Sequence, residues 1–267
     1  MFTPFAFIQP TIVTAFDSDA QAFITAAAIT DTTQQTAINT LVIGLKADSL
    51  WDKMLAVYPF VGGTAAQHKY NLKNPQDTDA AFRLNFSGSW THTPSGSKPD
   101  GVTAYANTYF IPSTNWTSGN SSISAYSRTN NSESGNLWGT KGPGATFQLF
   151  PNLRNGITNN NYHNSNSTTS ISPTPTTSAV NLISSRINTT QYIFAVNNSI
   201  RTNTAQHETG FSPKSIYFGA RNNNGTTDLY STRQLAFAHI GTGLTQAECT
   251  QLYNRIQAFQ TTLSRAV

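Results

Sequence analysis

Apolar and polar positions along this chain follow two different periods. Ala37, Ile38, Leu41, Val42 and Leu45 recur at spacings of three and four, which puts them on one face of a helix. Asp31 stands in the N-cap position ahead of them, and Gln34 follows three residues later, the spacing of a capping box. A shorter helix is predicted over DSDAQAFITAAAI, capped by Asp17 or Ser18. Cys249, Leu252, Tyr253, Ile256, Phe259 and Leu263 form another stripe at the helical spacing. Thr245 and Glu248 make a T-x-x-E box before it, with Leu244 placed to staple against Cys249. Residues 244–264 are therefore predicted to close the chain as one helix, in which Cys249 is a small buried hydrophobe.

From Met54 to about Gly241 the grammar changes to short runs rich in β-branched and aromatic residues, bounded by Gly, Asn, Pro and Ser. The predicted strands are MLAVYPFV, AAFRLNFSG, AYANTYFI, SISAYSRT, ATFQLFPNL, NLISSRIN, QYIFAVNN, SIYFGARN and QLAFAHIG. QYIFAV-NN-SIRTN reads as a hairpin in which Asn197 and Asn198 take the positive φ of a type I′ turn. Strands at this spacing with no helices between them predict an antiparallel two-sheet sandwich. Three zones follow: an extended arm over residues 1–16, a helical segment over 17–50, and a sandwich with its closing helix over 51–267. Residues 17–267 are read as a single globular domain. The arm, with Phe2, Phe5, Phe7, Ile8, Ile12 and Val13, either packs on its own domain or anchors a neighbouring protein. Residues 155–179 are of low complexity, a tolerated insertion or an exposed binding loop, with a twisted hairpin expected around NNNYHNSNS.

Composition narrows the partners. Charged residues are 10% of the chain and hydrophobic ones 37%, so hydroxyls and amides must build the polar surface, as on exposed extracellular or virion surfaces. The net charge of +4 comes from few acids rather than from a basic cluster, and no basic stripe points to nucleic acid. The apolar start lacks a positive n-region and is interrupted by Pro4 and Pro10, so it reads neither as a signal peptide nor as a membrane span. With one cysteine there is no intrachain disulfide framework. GTKGPGATF lacks the order of a phosphate loop. His68, His92, His163, His207 and His239 show no ligand spacing. The sequons at Asn115 and Asn188 follow from composition.

Residues 215–259, SIYFGARNNNGTTDLYSTRQLAFAHIGTGLTQAECTQLYNRIQAF, resemble the last two strands and terminal helix of concanavalin A-like lectin/glucanase sandwiches, the laminin-G-like group. Ile216 to Ala220, Ile240-Gly241, Gly243, Leu244, Thr245, Glu248, Leu252 and Tyr253 carry the likeness. Residues 19–92 resemble a longer module of phage virion proteins. The resemblance implies a mainly β jelly roll on a virion surface or tail, reaching a host glycan, with a homo-oligomer and other virion proteins as partners. An architectural decoration or connector protein without any ligand is the alternative.

Glycosidases that this chain resembles carry paired carboxylates on one strand as E-x-D-x-E, because residues two apart share a face. Here Asp17/Asp19 fall at a helix start and Asp77/Asp79 in a turn, while Glu133, Glu208 and Glu248 stand alone. The expectation is a protein that is not an enzyme, without catalytic residues. A glycan-degrading enzyme of the same fold is the further alternative. Lectins of this fold often hold Ca²⁺; Asp77, Asp79, Asp100 and Asp228 are the candidate oxygen donors, against the preferred reading that they initiate turns and that no cofactor is bound. Sugar recognition needs aromatic walls and fixed amides. Trp90, Trp116, Trp138, Tyr162 and Tyr230, with Asn222, Asn223, Asn224 and Arg233, form the candidate binding set, against the reading that such aromatics close the core.

Overall fold

Asp17 accepts a hydrogen bond from the Asp19 amide and starts α1 (Ser18–Ala26); Asp31 does the same for the Gln34 amide at α2 (Thr32–Ala47). These caps follow the sequence, but the box at α2 is only half formed. The Gln34 side chain leaves the helix and accepts from the Gly62 amide instead, tying α2 to the end of the first strand. At the other end, α5 (Gln246–Thr262) has the complete Thr245/Glu248 capping box. Single turns α3 (Ala65–His68) and α4 (Pro112–Asn115) lie between strands.

The computed structural model describes residues 15–143, 148–151, 153, 161–165, 175–204 and 210–267. The arm is thus almost wholly outside the described residues, as is most of 155–179. The architecture is two packed eight-stranded sheets. The first contains β1 (Met54–Tyr58), β3 (Trp90–Thr93), β4 (Gly96–Pro99), β6 (Ser121–Ser127), β10 (Val180–Arg186), β11 (Tyr192–Val196), β12 (Ser199–Asn203) and β16 (Leu235–Gly241). The second contains β2 (Asn85–Ser87), β5 (Tyr105–Asn107), β7 (Trp138–Lys141), β8 (Gln148–Pro151), β9 (Asn161–Ser165), β13 (Tyr217–Phe218), β14 (Arg221–Asn223) and β15 (Thr226–Asp228). Pairing is antiparallel except between β14 and β7, which run parallel.

Period-two alternation divides the apolar residues of the first sheet between two cores. On β10, Leu182 faces the second sheet, where it joins Ile123, Phe194, Trp138 and Phe218; Ile183 faces the helices, where it joins Leu41, Leu45, Leu252 and Phe259. The result is helices over one sheet over a second sheet, a mainly β jelly-roll-like sandwich with a closing C-terminal helix.

Three local readings are corrected by backbone geometry. Asn197 takes positive φ (+52°), whereas Asn198 is absent from the left-handed residues, so the β11–β12 turn is not type I′. The run AAFRLNFSG is not one strand: a 3-10 turn at Asp79–Ala81 ends at Phe82 with φ +57°, and only Asn85–Ser87 pairs. SIYFGARN breaks at Gly219 (φ +77°), where a Cβ would come within 2.8 Å of the Trp90 ring.

Candidate functional site

The hairpin β3–β4 forms one edge of the first sheet. Its register pairs Trp90 with Pro99, Thr91 with Lys98 and His92 with Ser97. Ser97 in turn pairs with Leu235, which lies in the inter-sheet core. Alternation therefore sends Trp90, His92, Ser97 and Pro99 inward and puts Ser89, Thr91, Lys98 and Asp100 together on the outer face. Ser89, Thr91, Lys98 and Asp100, with Thr232 and the edges of Trp90 and Pro99, line a cavity of about 370 Å³, within the range of small-ligand sites.

Two carboxylates fix its polar walls. Asp100 accepts from the amides of Val102, Thr103 and Ala104 and from the Thr103 hydroxyl. Burial opposes its ionisation, but these four donors hold the carboxyl well below the usual range. Behind Thr232, Glu133 accepts from the Thr232 amide and hydroxyl and from the Ser231 hydroxyl. Burial raises its pKa, and Arg233 together with those hydroxyls outweighs it, so the net shift is downward. Lys98 is exposed and forms no ion pair among the described residues. The site thus presents one available cation, hydroxyls at Ser89, Thr91 and Thr232, and a carboxylate already committed to its own loop. Such a set exchanges hydrogen bonds with a polyhydroxylated ligand.

A second concavity of about 450 Å³ is lined by Asp19, Lys46, Ser49, Trp51 and Asp52. Its aromatic wall is already occupied, because the ammonium groups of Lys73 and Lys46 sit 4.4 Å and 5.7 Å from the Trp51 ring centroid. The edge cavity is the better candidate.

The nine residues singled out from the sequence do not converge on one surface. Trp90, half-buried on β3, lines the cavity; its indole N–H donates to Ser87 O at 3.0 Å. Trp138 is fully buried on β7, and Trp116 packs among Phe110, Phe211 and His163 while donating to Gly241 O. Tyr162 is buried on β9 against Phe150. Arg233 is buried and donates to the Leu153 and Gly135 carbonyls and to Asn131. Asn222 is buried and holds the β14–β15 turn through the Gly225 amide; Asn223 donates to Asp228; Asn224 supplies the left-handed residue of that turn, φ +52°. Tyr230 is half-buried near the outer face of the second sheet. Trp116, Trp138, Tyr162 and Arg233 are not available at the surface as the candidate set requires: large rings and a hydrogen-bonded guanidinium fill the interior instead. Lys98, Ser89, Thr91 and Thr232 were missed. Nothing in GSWTHTPSGSKPD marks a hairpin whose outer face is polar, since its apolar alternation is carried by Trp90 and Pro99 alone.

The other acids are used structurally. Asp77 pairs with Lys69 and Arg83, Asp79 with Arg83, Asp228 with Arg221, Asp48 with Arg255, and Glu248 with Lys53. No group of three His, Cys, Asp or Glu side chains that could hold a metal occurs among the described residues. The four aspartates weighed for Ca²⁺ are each engaged with protein donors. No helix among the described residues is long and apolar enough to cross a membrane.

No family model matches the chain, and no curated protein matches it in sequence. In three dimensions it is similar to a Trypanosoma rangeli sialidase mutant displaying trans-sialidase activity, with TM-score 0.53 and 11% identity over 83% of this chain and 39% of that one. A botulinum neurotoxin type C structure, described as dependent on interaction with two ganglioside molecules for cell entry, gives TM-score 0.57 and 10% identity over 79% of this chain and 53% of that one. Domain 4 of AbnA, a GH43 extracellular arabinanase from Geobacillus stearothermophilus in complex with arabinotriose, gives 0.50 and 14% over 75% of this chain and 98% of that domain. The chain thus spans about two fifths of the sialidase and about half of the neurotoxin structure. Identities this low show the shared fold alone, a β-sandwich found in glycan-binding and glycoside-hydrolase proteins. The expectation that the protein is not an enzyme is overturned by the same finding. Sialidase chains and a domain of an arabinanase share this architecture, so the missing E-x-D-x-E strand does not exclude glycan chemistry.

Proposed function

We propose that this sandwich recognises carbohydrate, with the β3–β4 cavity as its binding site. The observation that carries the reading is the lining itself: hydroxyls from Ser89, Thr91 and Thr232 beside the unpaired ammonium of Lys98. The likeness to an arabinotriose-bound domain, covering 98% of that domain, supports it. In this reading Lys98 and the Ser89 and Thr91 hydroxyls hydrogen-bond the sugar, while Asp100, Glu133 and the Thr232 hydroxyl bonded to Glu133 hold the walls in place. The virion-surface setting, attachment to neighbouring virion proteins through residues 1–16 and homo-oligomerisation rest on the sequence resemblance alone.

A glycan array probed with the intact chain tests the proposal. Lys98→Gln and Thr91→Ala are each expected to weaken the same subset of hits by about tenfold, the loss of one good hydrogen bond to a charged group. An array silent for the wild type, or hits indifferent to both substitutions, refutes it. Incubating the hits with the protein and assaying released reducing ends reads whether recognition is followed by cleavage.

A further inference from the structure

We infer that the outer face of the second sheet is a separate binding surface for an uncharged oligosaccharide. Strand register builds it. Asn85 and Tyr217 both stand opposite Asn107, and Ser87 stands opposite Tyr105. Their neighbours Phe86, Ala106 and Phe218 belong to the inter-sheet core, so alternation turns Asn85, Tyr105, Asn107 and Tyr217 away from it. Tyr105 and Tyr217 stack with ring centroids 4.5 Å apart and planes at 22°, and both remain half-exposed. The Asn85 amide donates to the Tyr109 hydroxyl at 2.9 Å. Tyr109 is held in a left-handed conformation (φ +56°) in which its own amide donates to Asn107 Oδ1 at 2.9 Å. A non-glycine residue at positive φ is strained, and such strain gathers where a side chain must be aimed. Burial raises the Tyr217 pKa first, and the neighbouring phenols of Tyr105, Tyr109 and Tyr230 add to it, which brings Tyr230 into the same group.

The chemistry of this face selects the ligand. Half-exposed phenol rings concentrated in one place mark an interaction surface. The outward positions on β2, β5 and β13 are Asn, Ser and Tyr, with no acid or base among them. The adjoining Arg221 is bound at both ends of its guanidinium by Asp228, at 2.8 and 2.7 Å. On β2, β5 and β13 a charged ligand finds no counter-ion. A sugar ring, by contrast, offers C–H faces to the phenols and hydroxyls to the amides. From β2 across β5 to β13 the face spans two inter-strand spacings, about 10 Å, room for one or two sugar rings. None of these residues lines the β3–β4 cavity, so the inference does not depend on the reading of that cavity.

Calorimetric titration of the full chain with neutral gluco-, manno-, galacto- and arabino-oligosaccharides of increasing length tests it. Affinity in at least one series is expected to rise with length and then level off. Tyr217→Ala and Tyr105→Ser should each weaken binding about tenfold or more, as truncation of a central aromatic does, while Tyr217→Phe keeps most of it. Thermal melting identifies which variants are folded, and either tyrosine position suffices. Four results would overturn the inference: no binding in any series, tyrosine variants that bind like the wild type, abolition of the same binding by Lys98→Gln, or a face whose tyrosines govern only self-association.

Discussion

Acidification is expected to unfold this protein through two buried imidazoles, well before its carboxylates protonate. His239 lies fully buried beneath the helices, and burial alone pushes its pKa down to about 3. His68, also buried, is pushed to about 3 by burial first, then by the neighbouring charges of His92 and Arg265. In the unfolded chain each titrates near the ordinary value of about 6.5. The unfolded state therefore binds protons that the folded state refuses. The stabilisation is complete above about pH 6.5 and is lost progressively as pH falls toward 3. At about pH 4.5 each imidazole withdraws two pH units' worth, about 2.7 kcal/mol, so the pair removes about 5 kcal/mol. That approaches the whole stability of a marginal domain. Between about pH 6.5 and 4.5 the imidazoles dominate, His92 adding in the same direction because burial lowers it too, while Asp17, Asp48, Asp77, Glu133 and Glu248 are all shifted below their usual values. Urea midpoints measured across it, at constant m-value, give the magnitude. His239→Gln should be less stable at neutral pH yet lose only about half as much on acidification. A midpoint flat from neutral pH to about pH 4.5, or an unchanged acid loss in His239→Gln, would refute the argument.

Arg265 donates to the carbonyls of Pro59, Phe60, Pro94 and Ala236 and to Gln260 Oε1, with no carboxylate partner among the described residues; Arg265→Met should cost at least about 3 kcal/mol in urea unfolding, since it strands several buried acceptors at once. Gly219→Ala forces a side chain onto φ +77° and into the Trp90 ring; it should cost about 1–3 kcal/mol and shift the tryptophan emission that reports on the cavity wall.

What was legible in the sequence is what has a long period. The α2 and α5 stripes bury the residues their spacing selects, and β6, β10, β11 and β16 each carry enough alternating residues to be recognised. What was not legible is β3, β4, β7 and β15, strands of three or four residues in which alternation has no room to show. The cavity lies on β3 and β4; the second surface lies on β2, β5 and β13, which fall within predicted runs whose pairing partners the sequence does not show. Tyr105 and Tyr217 are 112 positions apart and meet only because β5 and β13 pair. Trp138 and Trp116 looked equally suitable for stacking on sugar from their type alone; only the pairing of the sheets decides that one aromatic set is core and the other is surface.

The low charge content has a structural use that the same pairing makes visible. On β6 the serines alternate with apolar residues: Ser121, Ile123 and Ala125 face the second sheet, while Ser122 and Ser124 face the helices. Each outward serine meets one nitrogen of His239, at 3.0 and 2.5 Å, and Ser121 meets His163, whose other nitrogen reaches Ser184 at 2.7 Å. A neutral imidazole has one donor and one acceptor, and a pair of hydroxyls satisfies both without an ion. Slipping β6 by one residue would exchange Ser122 and Ser124 for Ile123 and Ala125 and leave the His239 imidazole without its hydroxyl partners in the interior. The hydroxyl–imidazole pairs therefore fix the register of β6 against β16. Since β16 is held at one end by β1 and at the other by β4, that register also sets where Ser97, and with it the whole β3–β4 hairpin, meets the sheet. The polar interior and the polar cavity are in this sense one arrangement, and a sequence built from Ser, Thr and Asn rather than charges serves both.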